Sequence, residues 1–191
     1  MTRLDSQMAF LMEAEKLRQI LRATPIGDGS RKENSAEHSW HLALFAAVLG
    51  EHAPDGVQID RVIRMLLIHD IVEIDAGDVP IYAQTKAGQA ETEAAEQAAA
   101  ERLFGLLPDD QAADFKALWT EFEAAETPDA VFAKSLDRFQ PPNLNLASGG
   151  GSWKDYKVTF DVLDQRVGKP VRRGAPALWD WIAPKIRAVL G

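Results

Sequence analysis

The chain has 191 residues, of which 46% are hydrophobic, and this suits one well-formed core better than two domains. Its net charge of −8 opposes binding to DNA or RNA, because polymeric nucleic acids are normally bound by a basic surface that releases counterions. It contains no cysteine, no secretory signal and no apolar run of the roughly 18 residues that cross a membrane, so we expect a cytoplasmic protein without a membrane partner.

Helical spacing dominates the chain from its first element onward. In residues 5–22, Phe10, Leu17 and Leu21 fall on one apolar stripe, which predicts a helix of about five turns. Residues 24–29 then carry a proline and two glycines that break the helix.

A second helix is predicted from Asn34 onward. Glu37 follows three residues later, which is an asparagine version of the capping box. Residues 40–49 are apolar on nearly every side, so we expect this helix to be central and buried. His38 lies in the first turn, where its side chain can face a site rather than the middle of the core.

The third predicted helix carries three ionisable groups within an apolar run. We expect Asp60 to cap this helix and Gly77 to end it. His69 and Asp70 are adjacent and diverge by about 100°, so both can bind one ion only near a helix end or with a long reach. Glu73 follows His69 by four residues and Asp70 by three, so its carboxylate lies on the same helical face.

Three further helices are predicted after this apolar run. Residues 91–107 and 109–125 are acidic, alanine-rich and amphipathic, which is typical of covering elements rather than of catalytic ones. Thr127 and Pro128 begin the next helix as the capping residue and the first helical residue. Asp137 lies on this helix, where an ion pair with a neighbouring basic residue is the alternative to a ligand role.

The C-terminal part of the chain is predicted to be helical with interruptions. Pro141 and Pro142 should end the helix of Asp137. The glycine-rich segment 148–153 is expected to be a flexible connection, since it lacks the lysine of a phosphate-binding loop. Two final helices are expected over residues 153–166 and 176–190.

Two imidazoles and two carboxylates stand out as candidate metal ligands, namely those of His38, His69, Asp70 and Asp137. Their nitrogen and oxygen donors suit Mn, Co, Fe, Zn or Mg better than a thiophilic ion. The sequence therefore predicts a metal site assembled from three helices.

The segments that carry these residues resemble the HD-domain metal-dependent phosphohydrolases, and more closely the branch that contains the 5′-deoxynucleotidases. They are RKENSAEHSW at 31–40, IHDIVEIDAGDVP at 68–80 and AKSLDRF at 133–139. The resemblance implies an all-α, single-domain helical bundle of the HD type over residues 1–191. The metal-binding core would lie at about residues 31–140.

The resemblance also implies roles for single residues. His38, His69, Asp70 and Asp137 would hold one divalent metal ion, and Glu73 would be the catalytic acid or base. Because no histidine follows His69, we expect one metal ion rather than the two of related phosphodiesterases.

Substrate binding is implied for three more residues. Asp78 in the GDVP turn would help to position substrate or water. Arg22 lies nearest to the phosphate-binding arginine of the deoxynucleotidase branch, although Ala23 follows it where that branch commonly carries an aromatic residue. Arg31 is the second candidate for a phosphate clamp.

The resemblance therefore predicts a metal-dependent phosphohydrolase that releases phosphate from deoxynucleoside or nucleoside 5′-monophosphates, and a homodimer. Two alternatives remain at this point. One is a hydrolase of another small phosphate ester or nucleotide. The other is a non-catalytic binding module whose helices are held together by the metal.

Overall fold

The structure is a computed structural model that describes residues 2–191, with side chains described for residues 2–85 and 88–191. It is helical almost throughout, which confirms the predicted all-α class, and it adds one small antiparallel sheet. The α-helices are α1 (Arg3–Ala14), α2 (Ser35–Leu49), α3 (Ile59–Ile68), α4 (Glu73–Ala76), α5 (Lys86–Phe104), α6 (Asp109–Ala124), α7 (Pro128–Ala147), α8 (Gly151–Asp155), α9 (Phe160–Leu163), α10 (Lys169–Gly174) and α11 (Pro176–Leu190). Short 3₁₀ helices cover Glu15–Gln19, Gly50–His52 and His69–Val72, a π-helical turn covers Asp164–Gly168, and the strands are β1 (Leu21–Pro25) and β2 (Lys32–Asn34).

The first predicted helix is shorter than the apolar spacing suggests. Phe10 and Leu17 are buried as expected, but α1 ends at Ala14 and a 3₁₀ helix continues to Gln19. The chain then enters β1, where Leu21 pairs with Asn34 of β2. Strand pairing satisfies the backbone of this segment through residues that are distant in the sequence, so it overrides the local helical pattern.

Helix α2 begins as predicted but is not buried on all sides. The side chain of Asn34 accepts a hydrogen bond from the Glu37 N–H, and Glu37 reciprocates at the Asn34 N–H, so the capping box is confirmed. Leu42 is fully buried, whereas Trp40 and Val48 are 63% and 64% exposed. The apolar surface of this helix therefore exceeds what the core covers.

Helix α3 leads directly into the segment that carries the ionisable groups. Its cap is Gln58 rather than the predicted Asp60, and the Gln58 N–H donates to Asp129 Oδ1 at 2.8 Å. The helix tightens to a 3₁₀ turn from His69 onward, so His69 stands at a helix end. Gly77 ends α4 as predicted, with a φ of 77° that favours glycine.

Helix α7 continues past the two prolines that were predicted to end it. Thr127 caps it as expected, but Pro141 and Pro142 both lie within it. Each proline removes one backbone donor, and the side-chain amide of Asn143 adds a bond to the Phe139 carbonyl at 2.7 Å in the same turn. Packing of this helix against several neighbours outweighs the loss of two local hydrogen bonds.

The C-terminal segments differ from the expectation in two respects. Residues 148–153 do not form a loose connection, because α8 begins there and its Ser152 N–H donates to Asn145 Oδ1 at 2.8 Å. The helix expected over 153–166 is interrupted between α8 and α9, whereas α11 occupies the predicted range. Within the part of the chain that the structure describes, no helix combines the length and apolarity needed to cross a membrane.

Helix α7 lies at the centre of the bundle, where α2, α3, α6, α10 and α11 pack against it. Phe132, Ala133 and Leu136 are fully buried along it. The close approach of α10 depends on Gly174, because a Cβ at this position would lie 2.7 Å from the Val131 carbonyl oxygen. The position of Asp137 is therefore set by the packing of the whole helix.

We expect Gly174→Ala to lower the free energy of unfolding by about 1–3 kcal/mol, because the added methyl group overpacks the contact between α10 and α7. Gly27→Ala is the matched control, since a Cβ there meets its nearest atom at 3.8 Å and should change stability by less than about 0.5 kcal/mol. Urea denaturation measures both. Equal stability of the two variants would contradict the close packing.

Candidate metal centre

Three of the predicted ligands converge at one buried point. Ligand-type atoms of His38, His69 and Asp137 all lie within 4.8 Å of one another. His38 Nε2 is 3.0 Å from Asp137 Oδ1, and His69 Nε2 is 3.8 Å from the same oxygen. All three side chains are buried, and they come from α2, the 3₁₀ turn after α3, and α7.

The orientation of His69 suits a metal ligand. Its Nδ1 lies 2.9 Å from the Leu66 carbonyl oxygen, which can only accept, so Nδ1 carries the hydrogen and Nε2 is left with a lone pair in the neutral ring. Within the described part of the chain, this buried Nε2 makes no hydrogen bond of acceptable geometry, although the carboxylates of Asp70 and Asp137 lie 2.9 and 3.8 Å away. Buried polar atoms are normally satisfied, and a divalent cation would satisfy this one.

Asp70 lies at the edge of this cluster and is shared with an arginine. Its Oδ1 is 2.9 Å from His69 Nε2, and its Oδ2 accepts a hydrogen bond from Arg22 Nη1 at 2.7 Å. Burial opposes the charge of Asp70, but His69 and Arg22 outweigh it and hold the pKa of the carboxyl below its usual value. The structure thus places Asp70 next to the three converging ligands, where it contacts His69 on one side and Arg22 on the other.

The cluster attracts positive charge strongly. Burial disfavours the imidazolium form of His69, yet the carboxylates of Asp70 and Asp137 outweigh it and raise the pKa of His69 to about 10. The same carboxylates would stabilise a metal cation in place of the proton. The donor set and its charge therefore fit a divalent metal ion.

Glu73 and Asp78 lie beside the cluster and face the same arginine. Glu73 Oε2 accepts a hydrogen bond from the Ser35 hydroxyl at 2.6 Å, and its Oε1 is 3.7 Å from Arg22 Nη1. Asp78 Oδ1 is 3.6 Å from that nitrogen. Burial and the charge of Asp70 raise the pKa of both carboxyls, so each holds a proton more readily than an exposed carboxyl does.

The two arginines predicted to bind phosphate have different positions. Arg22 extends from β1 into the buried site, where burial opposes its charge but the carboxylates of Asp70 and Glu73 outweigh that effect and raise its pKa. Arg31 lies at the surface, paired with Glu37 at 2.6 and 2.8 Å. Arg31 is not among the described residues that line the cavity beside the cluster.

This cavity has a volume of about 250 Å³ and includes walls from helices that were expected only to cover the core. Glu96 of α5 and Phe122 of α6 both line it, and the Phe122 ring lies edge-on to His69 at 4.9 Å between centroids. Lys134 Nζ lies 4.0 Å from the centroid of the Phe122 ring. The cavity thus extends from the metal cluster to a wall formed by α5 and α6.

The sequence prediction also missed the two residues that contact Nδ1 of His38. Glu33 and Gln140 are buried, and Gln140 Nε2 donates to Glu33 Oε1 at 2.7 Å while Gln140 Oε1 lies 3.2 Å from His38 Nδ1. Helical spacing could have identified Gln140, because it follows Asp137 by three residues on the same face. Glu33 could not be identified in the same way, because it lies between Lys32 and Asn34 on a strand that the sequence analysis did not predict.

Comparisons with known proteins bear on the family and the fold of the chain. The sequence model of the HD domain family matches residues 14–179. A crystal structure from Magnetospirillum magnetotacticum MS-1, called a predicted metal-dependent phosphohydrolase, is 49% identical with a TM-score of 0.90, covering 98% of this chain and 95% of that chain. A Pasteurella multocida protein named 5′-deoxynucleotidase is 33% identical over 141 residues, which are 69% of this chain and 72% of that protein.

A human protein named 5′-deoxynucleotidase is 31% identical over 108 residues, or 56% of this chain. The chain spans about half the length of this relative, 50%. A protein from Pyrococcus furiosus has a TM-score of 0.57 at 20% identity, covering 87% of this chain and 99% of that one, and this likeness concerns the fold alone.

The cavity wall generates a prediction for pH dependence. Burial and the charge of Glu123 raise the pKa of Glu96 from 4.5 to about 7. Between pH 4.5 and about 7 the folded chain then binds more protons than the unfolded chain, so the contribution of Glu96 to the free energy of unfolding falls as the pH rises through this window.

We expect the Glu96 side-chain carbon to titrate near pH 7 by NMR, and Glu123→Gln to lower the midpoint by removing a like charge. Glu91→Gln on the exposed side of α5 is the control, and a wild-type midpoint near 4.5 would contradict the prediction.

Proposed function

The chain belongs to the HD domain family, and from this premise we propose that it is a divalent-metal-dependent phosphohydrolase acting on deoxynucleoside or nucleoside 5′-monophosphates. The observation that carries the proposal is the buried cluster of His38, His69 and Asp137 at a cavity that also contains Arg22. The names of the relatives from Magnetospirillum, Pasteurella and human support the same class of reaction.

In this proposal His38, His69, Asp70 and Asp137 hold one divalent cation, which is Mn, Co, Fe, Zn or Mg. When bound, the ion neutralises phosphate charge and lowers the pKa of a coordinated water. Asp70 is included because its Oδ1 lies 2.9 Å from His69 Nε2, on the side of the ring that faces the cluster.

Arg22 is proposed to bind the phosphate group. Its guanidinium is buried and lines the cavity, and a guanidinium can donate two parallel hydrogen bonds to phosphate oxygens. In this structure Arg22 Nη1 donates to Asp70 Oδ2. Phosphate binding therefore requires this nitrogen to leave the Asp70 carboxylate and donate to a phosphate oxygen instead. Arg31 is left out of the proposal because Glu37 holds its guanidinium at the surface.

Glu73 is proposed to move the proton during hydrolysis. The Ser35 hydroxyl fixes one of its oxygens, and the other faces Arg22, where the phosphate would lie. Water attacks phosphorus, the ester P–O bond breaks, and Glu73 accepts the water proton and returns one to the leaving oxygen. Asp78, whose Oδ1 lies 3.6 Å from the same Arg22 nitrogen, orients the substrate or water, and the products are a nucleoside and inorganic phosphate.

The test is phosphate release by metal-stripped protein that is reloaded singly with Mn, Co, Zn or Mg. Matched deoxyribonucleoside and ribonucleoside monophosphates are the substrates, and a panel of other small phosphate esters runs in parallel. Metal-dependent release from the nucleotides supports the proposal. Release only from another ester shifts the substrate class, and metal binding without any release favours the non-catalytic binding module.

We expect Glu73→Gln to lower kcat by about 10²–10⁴-fold, because it removes general acid and base catalysis, while metal content stays unchanged. Asp75→Asn is the matched control, since this neighbouring carboxylate is exposed and pairs with Arg102 away from the cavity. Phosphate release and metal analysis measure both variants. An active Glu73→Gln variant would refute the assigned role.

The homodimer stays a prediction, and we propose α2 as the surface to test. Trp40, Leu44 and Val48 lie one turn apart along α2 and are 63%, 46% and 64% exposed. Such a stripe is typical of a protein contact. We expect Trp40→Glu to convert a dimer into a monomer in light scattering, with Glu51→Gln as a surface control. A monomeric wild-type chain would contradict the prediction.

A further inference from the structure

We propose that Glu33 is a positioning residue that holds the His38 imidazole and the Arg22 guanidinium in fixed relation to each other. One buried carboxylate would then orient both a ligand of the metal cluster and the residue proposed to bind phosphate. The phosphate part rests on the proposed function, whereas the part concerning His38 rests on the geometry of the cluster.

The contacts of Glu33 extend to both sides of the site. The side chain is almost fully buried, at 2% exposure for the residue. Its Oε1 accepts a hydrogen bond from Gln140 Nε2 at 2.7 Å. Its Oε2 lies 3.3 Å from His38 Nδ1 and 3.9 Å from Arg22 Nε. Glu33 is thus the carboxylate located between the two groups.

The strand pairing explains why Glu33 occupies this place. Leu21 pairs with Asn34, and Arg22 and Glu33 are the residues next to this pair on β1 and β2; beyond it the register shifts, so that Pro25 pairs with Lys32. Arg22 Nε lies 3.9 Å from Glu33 Oε2. Side chains alternate along β2, where Lys32 is exposed and Glu33 is buried. The small sheet therefore places the Arg22 guanidinium and the Glu33 carboxylate side by side at the cluster.

Gln140 fixes a hydrogen on Nδ1 of His38, and Glu33 fixes the orientation of Gln140. Gln140 Oε1, an acceptor, lies 3.2 Å from His38 Nδ1, while Gln140 Nε2 donates to Glu33 Oε1. Glu33 Oε2 approaches the same Nδ1 to 3.3 Å as a charge contact. Nδ1 therefore carries a hydrogen, and Nε2, 3.0 Å from Asp137 Oδ1, is the nitrogen that a bound metal ion would use. A carboxylate behind a ligating imidazole fixes the ring and raises its basicity, and loss of such a partner typically weakens metal binding about 10–100-fold.

The relation between Glu33 and Arg22 rests on two buried atoms. Arg22 Nε and Glu33 Oε2 each have no hydrogen-bond partner among the described residues, and they face each other at 3.9 Å. Leaving a buried donor and acceptor unpaired is unfavourable, so a small shift of the guanidinium toward Glu33 is stabilising. An arginine held at Nε presents its two terminal nitrogens to the cavity, where a phosphate would bind.

The test is Glu33→Gln in the full chain. The new side-chain amide has one NH₂ group, which must replace either Oε1 or Oε2 of Glu33. In the first case it faces the donor Gln140 Nε2, and in the second case it faces the donors His38 Nδ1 and Arg22 Nε. We expect the affinity for Co or Zn, measured by competition with a chromophoric chelator, to fall about 10–100-fold, and the absorption spectrum of the Co-loaded site to change. Inorganic phosphate should also bind the metal-loaded variant more weakly than it binds the metal-loaded wild type, measured directly or as inhibition.

Asp129→Asn is the matched control for loss of a buried carboxylate. Asp129 is 6% exposed and accepts from the Gln58 N–H, away from the cluster. We expect a lower Tm with unchanged metal affinity. Glu33→Asp keeps the charge on a shorter side chain and should bind metal with an affinity between those of wild type and Glu33→Gln, which keeps the test informative if the amide variant does not fold.

The outcomes distinguish the role of Glu33 at His38, its role at Arg22 and the proposed function. Wild-type metal affinity and an unchanged Co spectrum in Glu33→Gln and Glu33→Asp would overturn the role of Glu33 at His38. Weaker metal binding with unchanged phosphate affinity would overturn its role at Arg22. A wild-type protein that binds metal but hydrolyses no phosphate ester would refute the proposed function, while the affinity comparison would still decide the role of Glu33.

Discussion

The arrangement of the molecule depends on a set of buried charges at the junction of α2, the 3₁₀ turn after α3, and α7. Asp70, Glu73, Asp78 and Asp137 lie within or beside the site that also contains Arg22, and two imidazoles complete it. Burying a charge is unfavourable unless partners compensate it. The chain supplies one guanidinium and two histidines as partners for four carboxylates. The excess of carboxylates favours the binding of a further cation.

Such a site requires rigid support, because its groups come from distant parts of the sequence. Helix α7 provides it by running from the Thr127 cap through Pro141 and Pro142 to Ala147, while α2, α3, α6, α10 and α11 pack against it. Asp137 and Gln140 lie one turn apart on this helix. The same rigid element therefore carries a candidate ligand and the amide that orients the opposite histidine.

The small sheet gives the N-terminal segment a role that differs from the predicted one. A helix over residues 5–22 would have placed Arg22 at its end, whereas β1 directs this side chain into the site and sets it beside Glu33. Helices α5 and α6 likewise contribute Glu96 and Phe122 to the cavity. Helices α5 and α6 therefore form part of the environment of the cluster, although their sequences predicted only covering elements.

The amino-acid sequence was enough to predict the helical class, the capping box at Asn34, the cap at Thr127 and the residue types of the candidate metal centre. These features depend on short spacings. Asn34 and Glu37, for example, form their hydrogen bonds within one helical turn and need no contact with the rest of the chain. Only the tertiary structure decided that Arg22 lies on a strand, that α7 passes two prolines and that Glu33 reaches His38. These outcomes depend on pairing and packing between residues far apart in the chain, which can outweigh local preferences of about 1–3 kcal/mol.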